Sequence, residues 1–391
     1  MTLTQIKAIL GRKFRGANID DVQGISDYTL FQEAASNLLS EIDPYETVRH
    51  GEINLFNEIY DYGLSSAAPD LKGKKILDIR PQGKRTSADD FRQTFTEDFD
   101  RDKEFENDWF SVEFDEGTKF LRVNKSVSNS IGVTDTEDSS YTATSGVSNI
   151  TEDTILQLGG QKSLRFDVAS GSNLLTWAGN GLDLTTHELK SSLFLEVYWP
   201  DASIITSITL RIGSSATDYF EITGAIHFGS ARNGVNLYRF DWNGATETGS
   251  VGITAVDYAR YAIVTTSVDT DIRIGKLSSK LPSPHEIVYY SNALFRPTSG
   301  STWKTIPTAD TDIINLETEA QNIFLNECCE IIAEDLTLDG EDQKFYTHLH
   351  GDGQKTGLYD QYETDKPSEA IRPSSRWYSR PRGSGKGIRN S

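Results

Sequence analysis

Cysteine is almost missing from this chain of 391 residues: there are two, Cys328 and Cys329, side by side. Neighbouring thiols cannot staple distant segments, which excludes a disulfide scaffold. They read as two reduced, packed side chains, in keeping with assembly in a reducing compartment. Long apolar runs are missing too. No stretch of about 18 apolar residues occurs, which excludes a helix that crosses a membrane, and the opening MTLTQIKAILGRKF lacks the order of segments that marks a signal peptide. The expectation is a protein that works without Sec export and without a membrane anchor. Basic residues are in deficit, 38 Lys and Arg against 58 Asp and Glu, for a formal charge of −20. Such a surface repels nucleic acid and favours solubility.

Catalytic signatures are equally sparse. No nucleophile elbow of the G-x-S-x-G type is present. The fragment GSGKG, Gly383 to Gly387, fails as a phosphate loop because Gly387 stands where Ser or Thr is needed and Arg380 where the first Gly belongs. Asp335 to Gly340 (DLTLDG) fails as a calcium loop because Thr337 replaces a ligand and Tyr346 stands in place of the bidentate Glu. His348 and His350 would share one face of a strand, yet no third or fourth ligand accompanies them. Glu97 to Asp108 holds seven acids and two bases and reads as a solvated loop. Carboxylates are many, but none forms a pair in a recognisable glycosidase setting. The expectation is therefore a protein with no catalytic residues, no metal and no cofactor.

What is present begins with a β-rich block. From Ile204 to Ile212 the pattern has period two, with Ile204, Thr206, Ile208, Leu210 and Ile212 on one face and Ile205, Ser207, Thr209 and Arg211 on the other, as in a half-buried strand. Ser163 to Val168, Leu193 to Trp199, Tyr219 to Thr223, Leu237 to Trp242, Tyr258 to Thr266 and Asp271 to Ile274 repeat that grammar between Gly, Asn, Ser and Asp clusters. Short strands at such spacing predict a sandwich or jelly roll. Leu281-Pro282-Ser283-Pro284 closes the block.

The flanks are different. Thr2 and Gln5 form a capping box before Leu3, Ile6, Ile9 and Leu10. Leu30, Phe31, Ala34, Ala35, Leu38, Leu39 and Ile42 make a broad helical stripe after Ser26 or Asp27 as cap. Ile53 to Tyr60 reads as a third helical piece, Lys75 to Arg80 (KILDIR) as a strand, and Phe110 to Phe114 with Lys119 to Val123 as a hairpin. A helix is expected from about Glu317 to Leu336. Its face of Ala320, Phe324, Cys328, Ile331 and Ile332 would be packed, with Glu319, Glu327, Glu330 and Glu334 left to solvent. One helical domain split by an inserted sandwich accounts for this order.

Two sets of residues stand out as binding candidates. Trp177, Trp199 and Trp242, with Tyr219 and Tyr238, lie in the β block, where an exposed ring would bury the apolar face of a sugar; Asp218, Arg232, Asn233 and Asn243 are the nearby hydrogen-bonding candidates. Core burial is the competing reading for most of these rings. The second set is the tail from Lys366 to Ser391, which has seven basic residues and one acid. Within it, Arg372, Arg376, Trp377, Tyr378, Arg380 and Arg382 combine aromatic anchors with arginines, the stuff of interface hot spots.

The segment YDYGLSSAAPDLKGKKILDIRPQGKR, Tyr60 to Arg85, after a helix ending LLSEIDPYETVR, resembles the N-terminal region of virion proteins common in tailed bacteriophages. LFLEVYWPD, LRIGSSATDYFE and FDWNG resemble the galactose-binding-like jelly rolls that decorate phage structural proteins. YYSNALF through the Glu317 to Leu336 helix to LYDQYE looks like the first domain returning. The fold class this implies is α+β and multidomain: a split helical connector domain (1–125 and 281–365), an inserted antiparallel β-sandwich (126–280) and an extended C-terminal arm (366–391). The arrangement is similar to head-to-tail adaptor, or neck, proteins. That resemblance implies a structural protein of the virion, assembled in the host cytoplasm as a ring, dodecameric in such adaptors. Its partners would be other copies of itself, the portal protein and tail or neck proteins, with genomic DNA passing through without specific binding and no membrane involved. A tail-fibre or baseplate adhesin whose sandwich binds host glycans is the rival expectation.

Overall fold

The computed structural model describes residues 1–14, 22–82, 96–97, 109–115, 118–124, 130–300, 302–338, 340–352 and 355–365. The chain divides into two compact units: Met1–Glu52 with Ser65–Thr96 and Glu286–Ser391, and Ile53–Leu64 with Glu97–His285.

The first unit packs α1 (Leu3–Lys13), α2 (Thr29–Glu41), α3 (Thr318–Asp335), α4 (Glu341–His350) and α5 (Leu358–Asp365). The capping box at α1 is formed, with Gln5 N donating to Thr2 Oγ1 and Thr2 N donating to Gln5 Oε1. At α2 the cap is Tyr28, in the left-handed region at φ 68°, without a side-chain bond of its own. Asp27 instead accepts from the Thr29 amide and hydroxyl just inside the helix. Leu3, Ile6, Leu10, Phe31, Leu38, Phe324, Cys328 and Cys329 share one core, each 0–1% exposed. Glu327, expected in solvent, is 3% exposed and accepts from the Tyr359 hydroxyl. Its helix face is covered by α5, an element the helical spacing of α3 alone does not reveal.

A three-stranded sheet completes this unit. Ser283–Ser291 lies between Val48–Leu55 and Leu71–Pro81, so a strand from the second half of the chain is embedded between two from the first. The helical reading of Ile53 to Tyr60 is corrected here. Val48–Leu55 is a strand, and Ile59 N bonds to Phe56 O in the turn beyond it.

The second unit is an antiparallel β-sandwich. One sheet runs Ala225–Ile226, Gly234–Asp241, Ser192–Trp199, Asp269–Ile274, Ser163–Val168, Val147–Asp153, with Ser278–Lys280 and Ser130–Gly132 branching from Ser192–Trp199. The other runs Thr246–Thr248, Tyr219–Thr223, Ile205–Gly213, Val256–Thr265, Gly171–Leu182, Tyr141–Ser145. Leu195, Val197, Trp199 and Phe240 from the first meet Ile208, Leu210, Tyr261 and Ile263 from the second in a continuous core. The hairpin, expected with the N-terminal helices, belongs to this unit instead. Trp109–Asp115 pairs with Thr118–Asn124, Asp61–Gly63 adds to its edge, and the Phe120 ring lies 4.8 Å from that of Phe228. The break expected after 125 therefore falls earlier, at Glu97, and Ile53–Leu64 is captured as well.

Candidate functional site

Strand register builds a mixed aromatic and polar strip on the outer face of the six-stranded sheet. Along Ile205–Gly213 the inward positions are Ile208, Leu210 and Ile212, each 0–1% exposed, so Thr209 and Arg211 point outward by the period-two rule. Arg211 stands opposite Glu221 on one side and Arg260 on the other. Gly213 stands opposite Tyr219 on one side and Tyr258 on the other. Beyond Arg260 comes Thr176. Two parallel rows result, Glu221, Arg211, Arg260, Thr176 and, next to it, Tyr219, Gly213, Tyr258.

The polar row is linked by direct contacts. Arg211 Nε donates to Glu221 Oε2 at 2.6 Å, Arg260 Nε to Thr176 Oγ1 at 3.2 Å, and Thr176 and Thr144 share a hydroxyl bond at 3.1 Å. The aromatic row is coupled to it through cation–π contacts: the Arg211 guanidinium carbon lies 4.7 Å from the Tyr219 ring centre and that of Arg260 lies 5.4 Å from Tyr258. The two tyrosine rings are 6.5 Å apart and tilted by 42°. Gly213 lets the neighbouring main chain approach closely, because a Cβ there would fall 2.2 Å from Asp218 O and 2.7 Å from Tyr219 Cα. Burial raises the Tyr258 phenol above its ordinary value, against the pull of Arg260 and Arg211, and its hydroxyl is enclosed within the protein.

Two arginines directly opposite each other are unfavourable in a sheet, since like charges at that separation repel. One carboxylate, Glu221, offsets one of them. Nothing in the core requires the pair. What the strip offers is donors in rigid forks, one acceptor, the Thr176 hydroxyl and the Tyr219 ring on a partly exposed sheet face.

The three tryptophans read as sugar platforms are corrected to core residues. Trp177 is 5%, Trp199 0% and Trp242 3% exposed. Trp199 Nε1 donates to the Tyr238 hydroxyl and Trp242 Nε1 to Ser191 Oγ, both at 3.1 Å, so each indole has its polar edge satisfied inside the sandwich. Trp177 packs where Gly179 leaves space, a Cβ at 179 falling 1.9 Å from its ring. Of the five aromatic candidates only Tyr219 reaches the solvent face. The proposed polar neighbours do other work: Asp218 accepts from Ser250 N at 3.0 Å, Asn233 Oδ1 accepts from Ala202 N at 2.8 Å, and Arg232 pairs with Asp115 at 3.2 Å. Asn243 lies in the turn after Gly234–Asp241.

His348 and His350 lie on α4 rather than a strand, two residues apart and so on different helix faces. The His350 ring lies between those of Tyr346 and Tyr359, at 4.5 and 5.2 Å. Arg372, Arg376, Trp377, Tyr378, Arg380 and Arg382 lie outside the described residues. Arg211, Tyr258 and Arg260 were legible as the polar alternates of apolar strands, a signal read for burial and not for what it left outside.

No protein-family profile matches the chain, and no curated protein matches it. Among solved structures, the chain is similar to the family 30 carbohydrate-binding module of the cellulosomal cellulase Cel9D-Cel44B of Clostridium thermocellum, at 8% identity over 39% of this chain and 96% of that one, TM-score 0.31. A family 11 carbohydrate-binding module from Clostridium thermocellum, solved with a β-1,3-1,4-mixed-linked tetrasaccharide, matches at 4% identity over 36% and 86%, TM-score 0.26. A family 28 carbohydrate-binding module specific for non-crystalline cellulose matches at 10% over 37% and 88%, TM-score 0.25. These likenesses are of β-sandwich shape alone.

Proposed function

We propose that this protein binds glycans without chemically changing them, using the outer face of the six-stranded sheet. The observation that carries the reading is the strip itself: the half-buried Tyr219 ring beside the row Glu221, Arg211, Arg260 and Thr176. A sugar ring buries its C–H face on an aromatic or guanidinium plane while its hydroxyls accept from arginine and donate to a carboxylate. The sheet face suits an extended saccharide chain crossing several strands. In the virion setting that the sequence resembles, this corresponds to a tail-fibre or baseplate adhesin. The head-to-tail adaptor reading rests on a split helical domain together with the arm of residues 366–391, and the arm lies outside the described residues.

A glycan array probed with the whole chain and with its Tyr219→Ala and Arg211→Ala variants tests the proposal. Expected is binding to a defined set of saccharides that falls about tenfold or more in both variants, with thermal midpoints within about 2 °C of the parent. Undiminished binding by both variants overturns it.

A further inference from the structure

The sandwich unit contains a second concavity, away from the strip and built by different elements. It is a cleft of about 470 Å³ between the Glu58–Asp61 turn, the Asp115 end of the hairpin and the edge around Ile226–Leu237. That volume lies within the range of about 300–1,000 Å³ usual for small-molecule sites. Tyr60 and Val235 bring apolar surface to it, 51% and 44% exposed, and Glu58, Glu196, His227 and Arg232 bring polar groups.

The turn that presents Tyr60 is held in an unusual shape. Glu58 is a non-glycine residue in the left-handed region at φ 56°, a conformation that persists only where its surroundings impose it. Lys280 imposes it here: 5% exposed, it donates from Nζ to Asn57 O at 2.7 Å and pairs with Glu58 Oε2 at 3.2 Å. On the other side, Tyr60 O accepts from Val123 N at 2.8 Å. The Tyr60 ring is thus carried on a clamped backbone although its own face is open.

Deeper in the cleft, His227 touches the edges of Tyr62 and Phe194, each at 5.4 Å, with both ring nitrogens enclosed. Burial, reinforced by the charge of Arg239 and opposed by the Asp61 main chain, lowers the imidazole to about 4. At neutral pH the ring is uncharged, one nitrogen a donor and the other an acceptor. Burial also raises Glu196, against Lys280 and a Gly159 amide.

We infer that this cleft is a separate site for a single uncharged sugar ring, such as the end of a glycan, with the Tyr60 ring as stacking surface and Glu58, Glu196 and Arg232 as hydroxyl partners. A cation fits less well, because Glu58 already faces Lys280 and Asp115 already faces Arg232. A hydroxyl group both donates and accepts, and so uses the Arg232 guanidinium and a carboxylate together. The inference extends the glycan reading to a new ligand geometry but stands on its own residues.

Saturation-transfer NMR on the full chain with methyl glycosides of glucose, galactose, mannose and N-acetylglucosamine tests it. Expected is transfer from at least one glycoside, abolished by Tyr60→Ala, retained by Tyr60→Phe, weakened about tenfold by Glu196→Gln and unchanged by Tyr219→Ala. No transfer from any of the four, or transfer that survives Tyr60→Ala, overturns the inference. Transfer lost through Tyr219→Ala instead assigns the binding to the sheet face and overturns it equally. Extended glycans discriminate in the opposite sense: a sheet-face failure abolishes their dependence on Tyr219 and leaves the Tyr60 result intact.

Discussion

Arg211 faces a second arginine across the strand pair, with 32% of its side chain exposed. Exposed ion pairs such as Arg211–Glu221 contribute little to stability, about 0–1 kcal/mol, so the residue's value lies outside folding. Replacing it by Lys retains the charge but loses the planar fork. Arg211→Lys should therefore weaken glycan binding nearly as much as Arg211→Ala while leaving the urea midpoint unmoved; a lysine variant that binds like the parent would assign the contact to charge alone. Buried polar residues predict differently. Asp78 is 2% exposed, and burial raises its carboxyl to about 6 although Arg80 opposes the shift. An acid whose folded pKa exceeds its unfolded one resists ionisation in the fold, so its cost is absent below about pH 4, grows between about pH 4 and 6, and is complete above that. Asp78→Asn should stabilise the protein at pH 7.5 by about 1–3 kcal/mol in urea unfolding and lose the advantage near pH 4. Cys328 and Cys329 are each 0% exposed with thiols raised by burial. Both should resist Ellman's reagent in the native protein and react once it is unfolded in urea; rapid labelling of the native chain would contradict their place in the core.

Strands and helices differ in how openly they were written. The capping box at Thr2 and the stripe of α2 were plain from spacing, because side-chain periodicity and cap chemistry are local. So were Ser163–Val168, Ser192–Trp199 and Val256–Thr265, to within a few residues. The face assignment of Ile204 to Ile212 failed at its start: Thr206 is exposed although Ile208, Leu210 and Ile212 are buried, because the register with Val256–Thr265 shifts between Ile205 and Ser207. A bulge is a pairing property and leaves no mark on one strand read alone. Gly171–Leu182, paired on both sides, went unread because Gly171, Asn173, Gly179 and Gly181 punctuate it like loop residues. Asn173 shows why such a residue sits in a strand. Completely buried, its amide donates to Ala169 O, Gly171 O and Ile263 O at 2.9, 3.1 and 3.2 Å. Asn173→Ala would remove these bonds, with the Thr265 hydroxyl still donating to Ala169 O, and should cost about 1–3 kcal/mol of unfolding free energy; a neutral result would show that water replaces the amide. The tryptophans illustrate the same limit, since composition places them in the β block but only the pairing of inner faces decides that they are core.

At the scale of the chain, the two units have separate hydrophobic cores, one around α1 to α5 and one between the sheets of the sandwich. Separate cores predict two calorimetric transitions. Phe324→Ala, which empties a buried site in the first core, should lower one of them by the equivalent of about 3–5 kcal/mol and leave the other in place. The formal charge of −20 argues against a general nucleic-acid surface, and it makes two arginines side by side on the sheet more conspicuous. The return of the chain was visible in the change of composition on either side of the β block, yet its structural form, a late strand set between two early ones, follows from long-range pairing. The central claim is that the sheet face holds a glycan, and the most direct test is titration calorimetry of the strongest array ligand against the parent and an Arg211→Ala, Arg260→Ala double variant. The account predicts that the double variant folds with an unchanged midpoint and that its heat of binding disappears; equal affinity in the two proteins would contradict it.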